Sequence, residues 1–207
     1  ITQAGISEIP IVIINGMRPG PAAGMPTWTG QGDLSFVLSM GHDDFPRVIL
    51  APGDAEEAFY LTKQALEISE QYQLPVIILT DKYLAENDYS VDKLPEVHIN
   101  KRFGIIKDQK IMFKRYNLKE IISLRSLPGK SDNIYCCNSY EHDENGFSTE
   151  DGIMRTKMMA KRMMKLDILA KNIPIQQVFG KSNQIGIISW GSNKGPILEA
   201  LKDLPGV

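Results

Sequence analysis

In the stretch Asn15-Gly16-Met17-Arg18-Pro19-Gly20-Pro21-Ala22-Ala23-Gly24-Met25-Pro26-Thr27, one charge, Arg18, stands among glycines, prolines and small side chains. Three glycines and three prolines between Gly16 and Pro26 make a stiff loop that allows close backbone approach. Such a loop holds a cation in place. A planar guanidinium grips a carboxylate through two parallel hydrogen bonds, and Thr27 offers a hydroxyl to the same anion. By residue type, Arg18 and Thr27 are therefore candidate substrate-binding residues for a carboxylate. The competing reading is a plain Gly/Pro connection.

The other chemistry-bearing residues carry less. His42 beside Asp43 and Asp44 lacks a His-x-x-x-His or carboxylate spacing, so no metal site is expected there. His142, between Glu141 and Asp143, reads as a loop histidine at a domain junction, with a contact to a partner chain as the second possibility. Phe179-Gly180-Lys181-Ser182 resembles the end of a phosphate loop, but Ile175 stands where that loop requires glycine. The only cysteines, Cys136 and Cys137, are adjacent. Adjacent cysteines rarely bridge each other and cannot alone make a four-ligand metal site. A reducing, cytoplasmic compartment is the expectation.

The elements that must position Arg18 follow from apolar runs. Residues 9–14, 47–51, 75–80 and 184–189 have the length and β-branched content of buried strands. Their continuous apolarity predicts a parallel sheet covered on both faces, hence an α/β fold. Between the second and third runs, Asp54 caps a helix and Glu57 completes a capping-box pattern. Ala55, Ala58, Phe59, Thr62, Ala65, Leu66, Ser69 and Tyr72 recur there at helical spacing. A shorter helix is expected over 34–40, and a helix tail over 2–7. Residues 103–106 and 111–113 flank a predicted hairpin turn at 107–110. A basic helix is expected over 153–171, its methionines serving as core or interface filler. A last helix is expected over 193–204.

The 207 residues are 43% hydrophobic and 23% charged, an ordinary globular composition. No run approaches the ~18 apolar residues that span a bilayer, so no membrane association is expected. The net charge of −2 hides an asymmetry: residues 1–100 carry 5 basic and 14 acidic side chains, and residues 101–207 carry 18 and 11. The simpler reading is a hairpin and helix with solvated basic faces. The sharper one is a basic surface that meets acidic residues of a neighbour. Nucleic acid is not an expected partner, because the basic residues lack aromatic interleaving.

Arg18-x-Gly20-Pro21-x-x-Gly24-x-Pro26-Thr27, followed by Gln31-x-Asp33-Leu34, resembles the alpha subunit of 2-oxoacid:ferredoxin oxidoreductases, of the 2-oxoglutarate type. Further pieces agree in order. They are Glu8-Ile9-Pro10, Gly41-His42, Pro46-Arg47, Leu50-Ala51-Pro52-Gly53-Asp54, Tyr72-Gln73-Leu74-Pro75 and Leu79-x-Asp81. Glu141-His142-Asp143-Glu144-x-Gly146, Arg155-x-Lys157-Met158-x-x-Lys161-Arg162, Trp190-Gly191-Ser192 and Lys194-Gly195 complete the series. Each match is weak alone; the ordered set covers essentially the whole chain.

The resemblance implies an enzyme that decarboxylates a 2-oxoacid oxidatively with coenzyme A and passes electrons singly to ferredoxin. It implies thiamine diphosphate shared with a beta subunit, with magnesium and a 4Fe-4S cluster on that beta subunit, in a hetero-oligomer. It assigns the substrate carboxylate to Arg18 and Thr27, and no catalytic residue to this chain. It further implies a partial pyrimidine-binding-type domain over 1–130, a linker and amphipathic helix over 131–180, and the start of a transketolase-carboxyl-like domain over 181–207. The family's Tyr-Pro-Ile-Thr-Pro-type segment and its activating glutamate are expected upstream of Ile1. Departures are Ala22-Ala23 where the family often has Ser-Thr, and His42-Asp43-Asp44 as a variant of Gly-His-Gly-acid. Ala22-Ala23 and the expected missing amino-terminal segment favour an alternative, a non-catalytic assembly or regulatory module that kept the fold; Arg18 with Thr27 at the family's spacing argues against it. A plain nucleotide-binding module is disfavoured because no Gly-x-Gly-x-x-Gly follows any strand.

Overall fold

The computed structural model describes residues 1–94, 96, 103–106, 113–130, 132–173, 177–180 and 185–204. The chain begins with α1 (Thr2–Ile6) and turns into β1 (Ile11–Met17). Then come α2 (Leu34–Ser39), β2 (Val48–Leu50), α3 (Ala55–Tyr72), β3 (Pro75–Asp81) and α4 (Lys82–Glu86). After an irregular stretch, α5 (Gly152–Asn172) leads through a short 3₁₀ turn (Gly191–Asn193) to α6 (Lys194–Leu201).

The three strands are all parallel, in the order β1-β3-β2. Alternate residues of β3 face opposite ways, as a pleated strand requires. Val76 and Ile78 pack with Val48 and with Ala65, Ile68 and Tyr72 of α3. Ile77 and Leu79 pack with Met17 and Val37 of α2. The helices therefore cover opposite faces, the doubly wound arrangement that right-handed crossovers give when β1 connects past β3 to β2. The predicted α/β fold with a parallel sheet is the fold observed.

α3 starts as its sequence predicts. The Asp54 side chain accepts from the Glu57 N–H at 2.8 Å. The reciprocal bond differs from a strict capping box: Glu57 Oε2 reaches Gly53 N, one residue earlier, at 2.8 Å. α3 stops at Gln73, which takes a left-handed conformation (φ 52°) and donates its N–H to Ser69 O.

Several expectations are corrected. Among the described residues β1 stands at the edge of the sheet and is not covered on both faces: Ile14 is 65% exposed. It also runs to Met17, because pairing with β3 in register (Met17 with Asp81) holds Asn15 and Gly16 extended. The predicted strand over 184–189 is not formed in its described part, 185–189: no strand lies beside it among the described residues, and Ile188 is fully exposed. The last helix starts with a 3₁₀ turn and ends at Leu201. α4 was not anticipated; Asp81 caps it by accepting from Leu84 N at 3.0 Å. The predicted hairpin turn at 107–110 lies outside the described residues, as do Lys181 and Ser182 of the Phe179-Gly180-Lys181-Ser182 comparison. No helix among the described residues is long and apolar enough to cross a membrane.

The expected solvated basic face of α5 is also corrected. Met158, Lys161, Arg162, Lys165 and Leu169 share one face, and all five are buried. Lys161 Nζ binds both carboxylate oxygens of Glu8, at 2.7 and 2.8 Å, and Lys165 Nζ lies 2.7 Å from Glu8 Oε2. Arg162 makes two bonds to Glu141 (3.1 and 2.6 Å), which also accepts from Arg155 at 2.9 Å. Glu8 sits in a left-handed conformation (φ 51°) just before β1, and its carbonyl accepts from Arg115 at 2.8 Å. Burial alone would raise the Glu8 carboxyl, but Lys165, Lys161 and Arg115 outweigh it and hold it at about 2. Leu169, on the same helix, belongs to the core under α3. α5 is thus fastened to the sheet both by an ion cluster and by apolar packing. His142 lies in this region, buried, its ring 3.9 Å from the Tyr116 ring and its Nε2 3.2 Å from Ile6 O.

Candidate functional site

The carboxyl ends of β1, β2 and β3 lie together at Met17, Leu50 and Asp81, the edge where open α/β sheets bind ligands. The loop from Arg18 leaves this edge directly and folds back on itself. Met25 N donates to Pro19 O (3.0 Å), and Trp28 N to Met25 O (3.0 Å). Gly24 closes the turn at φ +49°, and a Cβ there would stand 1.8 Å from Pro19 O, so only glycine fits. A Cβ on Gly30 would come within 2.9 Å of Pro19 N and 3.2 Å of the Arg18 carbonyl carbon. The returning strand of the loop therefore lies against the backbone of Arg18 and Pro19.

Arg18 and Thr27, the two sequence-predicted site residues, are carried on this one closed loop, and both are exposed. Among the described residues neither side chain makes a hydrogen bond or ion pair. A fixed backbone with an uncommitted guanidinium is suited to gripping a planar oxyanion. Asn15, still in β1, donates to Asp33 Oδ2 at 3.1 Å and ties the far end of the loop to the strand.

Two polar networks at the same edge have roles the sequence reading did not assign. In the first, Gln31 Nε2 donates to Asp81 Oδ2 at 3.0 Å and lies 3.4 Å from Ser192 Oγ. Ser192 Oγ also donates to Asp81 Oδ2, and Asn193 Nδ2 donates to Gln31 Oε1 at 2.6 Å. Asp81 is 1% exposed. In the second, Lys194 Nζ bonds Asp54 Oδ2 and Glu57 Oε1, each at 2.6 Å. Burial raises the Asp54 carboxyl, but Lys194 and the N–H groups of Glu57 and Glu56 outweigh it and hold it below the usual carboxylate range. The signals were in the sequence as the Gln31-x-Asp33, Leu79-x-Asp81, Gly53-Asp54 and Trp190-Gly191-Ser192 pieces; what was missing was their convergence.

No group of three or more His, Cys, Asp or Glu that could hold a metal exists among the described residues. The acids at this edge, Asp33, Asp54, Glu57 and Asp81, are engaged by Asn15, Lys194, Gln31 and Ser192. The described residues therefore do not make a diphosphate–metal cradle by themselves, and no chemical step is assigned to a cofactor through them. Asp43, the neighbour of His42, pairs with Arg155 at 2.8 Å.

Comparison with known proteins places this geometry in context. The chain is 40% identical over 209 residues to "2-oxoacid:ferredoxin oxidoreductase 1, subunit alpha" of Sulfurisphaera tokodaii, covering 97% of this chain and 33% of that protein. It is 24% identical over 207 residues to "2-oxoglutarate synthase subunit KorA" of Methanothermobacter marburgensis, covering 98% of this chain and 54% of that one. A solved structure, "2-oxoglutarate:ferredoxin oxidoreductase from Magnetococcus marinus with 2-oxoglutarate, coenzyme A and succinyl-CoA bound", superposes with a TM-score of 0.83 at 30% identity. That alignment covers 98% of this chain and 36% of the other. The chain thus spans about a third of the length of the first of these relatives. The family profile described as "Pyruvate flavodoxin/ferredoxin oxidoreductase, thiamine diP-bdg" matches residues 1–162. With the doubly wound fold and the ordered motifs along its carboxyl edge, the chain belongs to the pyruvate flavodoxin/ferredoxin oxidoreductase family, in its thiamine diphosphate-binding domain.

Proposed function

We propose that this chain is the substrate-recognising part of an alpha subunit in a 2-oxoacid:ferredoxin oxidoreductase. The reaction converts a 2-oxoacid anion, coenzyme A and two oxidised ferredoxins into acyl-CoA, carbon dioxide, a proton and two reduced ferredoxins. In this reading Arg18 grips the substrate carboxylate bidentately and Thr27 donates its hydroxyl to the same group. That contact orients the acid so that its 2-carbon faces the reacting centre, and it loosens as the carboxylate becomes neutral carbon dioxide. Thiamine diphosphate is shared with a beta subunit that supplies magnesium and the 4Fe-4S cluster. A carboxylate grip serves 2-oxoglutarate, pyruvate and branched-chain 2-oxoacids alike, and the ordered motifs lean toward the 2-oxoglutarate-type alpha subunit. The first unit, 1–130, carries the substrate loop; α5 of the 131–180 segment is docked on it, and the part from 181 opens a transketolase-carboxyl-like domain.

The observation that carries the reading is Arg18, exposed and uncommitted among the described residues, on a loop locked by Gly24 and Gly30 at the carboxyl edge of a parallel sheet. The test is ferredoxin reduction by the complete complex with its beta subunit. The reading expects dependence on both a 2-oxoacid and coenzyme A, with two ferredoxins reduced per acyl-CoA formed. A complex that assembles with thiamine diphosphate bound and reduces no ferredoxin with any 2-oxoacid supports the non-catalytic module instead.

A further inference from the structure

We infer that Gln31 is a positioning residue for the carboxylate grip: it fastens the Arg18 loop between the end of the central strand and the turn that begins α6. The inference rests on the reading of Arg18 as the carboxylate ligand and names what fixes that arginine. Both ends of the Gln31 amide are used. Its Nε2 donates to the buried Asp81 at 3.0 Å, and its Oε1 accepts from Asn193 at 2.6 Å. Ser192 closes the ring by bonding the same Asp81 oxygen. Asp81 cannot shift to follow a displaced partner, because its other oxygen caps α4 through Leu84 N and it ends the central strand. Gly191 takes φ +67°, and a Cβ there would lie 3.0 Å from Gln31 Nε2, so the turn is shaped around this amide.

The mechanical path to Arg18 is one residue long. Gly30 precedes Gln31 and lies directly against the backbone of Arg18 and Pro19. Fixing Gln31 fixes Gly30, which lies against the backbone of Arg18 and Pro19, while Gly24 packs against Pro19 O. Asp33, two residues beyond, is held separately by Asn15 of β1. The same ring joins Ser192 and Asn193 to the loop, so the placement of the carboxyl-terminal turn and of the substrate loop are set together. Lys194, next in sequence, bonds Asp54 and Glu57 and, among the described residues, makes no hydrogen bond to the loop. It therefore serves as the comparison for damage to the turn alone.

The test is steady-state kinetics of the complete complex with Gln31→Ala and with the shape-preserving Gln31→Met, alone and combined with Arg18→Ala. Lys194→Met is the comparison. Removing the amide is expected to raise the 2-oxoacid KM about tenfold, the order of one or two net hydrogen bonds, with the coenzyme A KM unchanged. In the Arg18→Ala background the same change should add less than about twofold, because residues acting on one contact are not additive. Lys194→Met should leave the 2-oxoacid KM within about twofold of native. If Gln31→Ala multiplies with Arg18→Ala, or lowers kcat with both KM values unchanged, its role is general stability and the inference is overturned. The same holds if neither Gln31 variant assembles. If Arg18→Ala raises the 2-oxoacid KM and Gln31→Met does not, only the positioning role falls. If Arg18→Ala itself has no effect, the carboxylate reading falls and this inference with it.

Discussion

Replacing Glu8 by glutamine removes one charge from a site where three cations converge on one residue. Glu8 is 0% exposed, and its carboxylate is shared by Lys161 and Lys165. Glutamine has the shape of the neutral carboxyl, so the substitution isolates the charge. The native carboxyl is held at about 2 against an ordinary value of 4.5. About 2.5 units, at ~1.36 kcal/mol each, correspond to roughly 3 kcal/mol of folding stability at pH 7. That agrees with the ~3–5 kcal/mol typical of breaking a buried pair. Because the folded value is depressed, the contribution is complete above the unfolded value near 4.5 and is lost as pH falls toward 2. The difference between native and Glu8→Gln should therefore shrink from about 3 kcal/mol at pH 7 to about half that at pH 3. Lys165 has the opposite sense. Burial lowers it to about 8, so the cost of keeping it charged is relieved as pH climbs from there toward 10.5. Glu8 raises Lys165, so Glu8→Gln should move that relief to lower pH. Chemical denaturation at a series of pH values reads the free energies, and thermal melting at pH 7 should shift by about 6–12 °C for a chain of this size. A difference that stays constant from pH 7 to pH 3 would mean that shape, not charge, is what Glu8 supplies. No difference at all would refute the cluster.

Other outcomes follow from the same structure. Gly24→Ala adds a Cβ 1.8 Å from Pro19 O at a positive φ, so the loop must open; the 2-oxoacid KM should rise at least tenfold while thermal stability changes by no more than about 1–3 kcal/mol, measured by kinetics and melting of the same preparation. Ile77→Ala, at a position fully buried in the central strand, should cost about 2–5 kcal/mol. Ile14→Ala on the exposed face of the edge strand should cost less than about 1 kcal/mol in the isolated chain. Equal costs would contradict the strand order.

How much of this was legible in the sequence depends on how local each signal is. The continuous apolar run at β3 and the Asp54 cap of α3 are local signals, and the fold matches both. Residues 185–189 have strand composition as well, but a strand is made by its neighbour, and none lies beside it among the described residues. β1 outruns its apolar run because Asn15 and Gly16, which have loop composition, are held extended by pairing to β3. The basic face of α5 has a solvated look in sequence because lysine is rarely buried, and the partner that makes burial tolerable, Glu8, is 153 residues away from Lys161. The spacing of 158, 161, 162, 165 and 169 marked one helical face, but the residue types hid which way it points. Arg18 and Thr27 stood out by composition and motif. Gln31, Asp81 and Ser192 stood only as members of separate motif pieces, since three polar residues from three segments become a site only once the fold brings them together.

The central claim is most directly tested by kcat/KM for several 2-oxoacids in the complete complex carrying either the native chain or Arg18→Ala. Loss of the bidentate carboxylate contact is predicted to cost about 2–4 kcal/mol, roughly a 30- to 1,000-fold fall, for every 2-oxoacid. Unchanged kcat/KM with Arg18→Ala would contradict the assignment of this loop as the substrate grip.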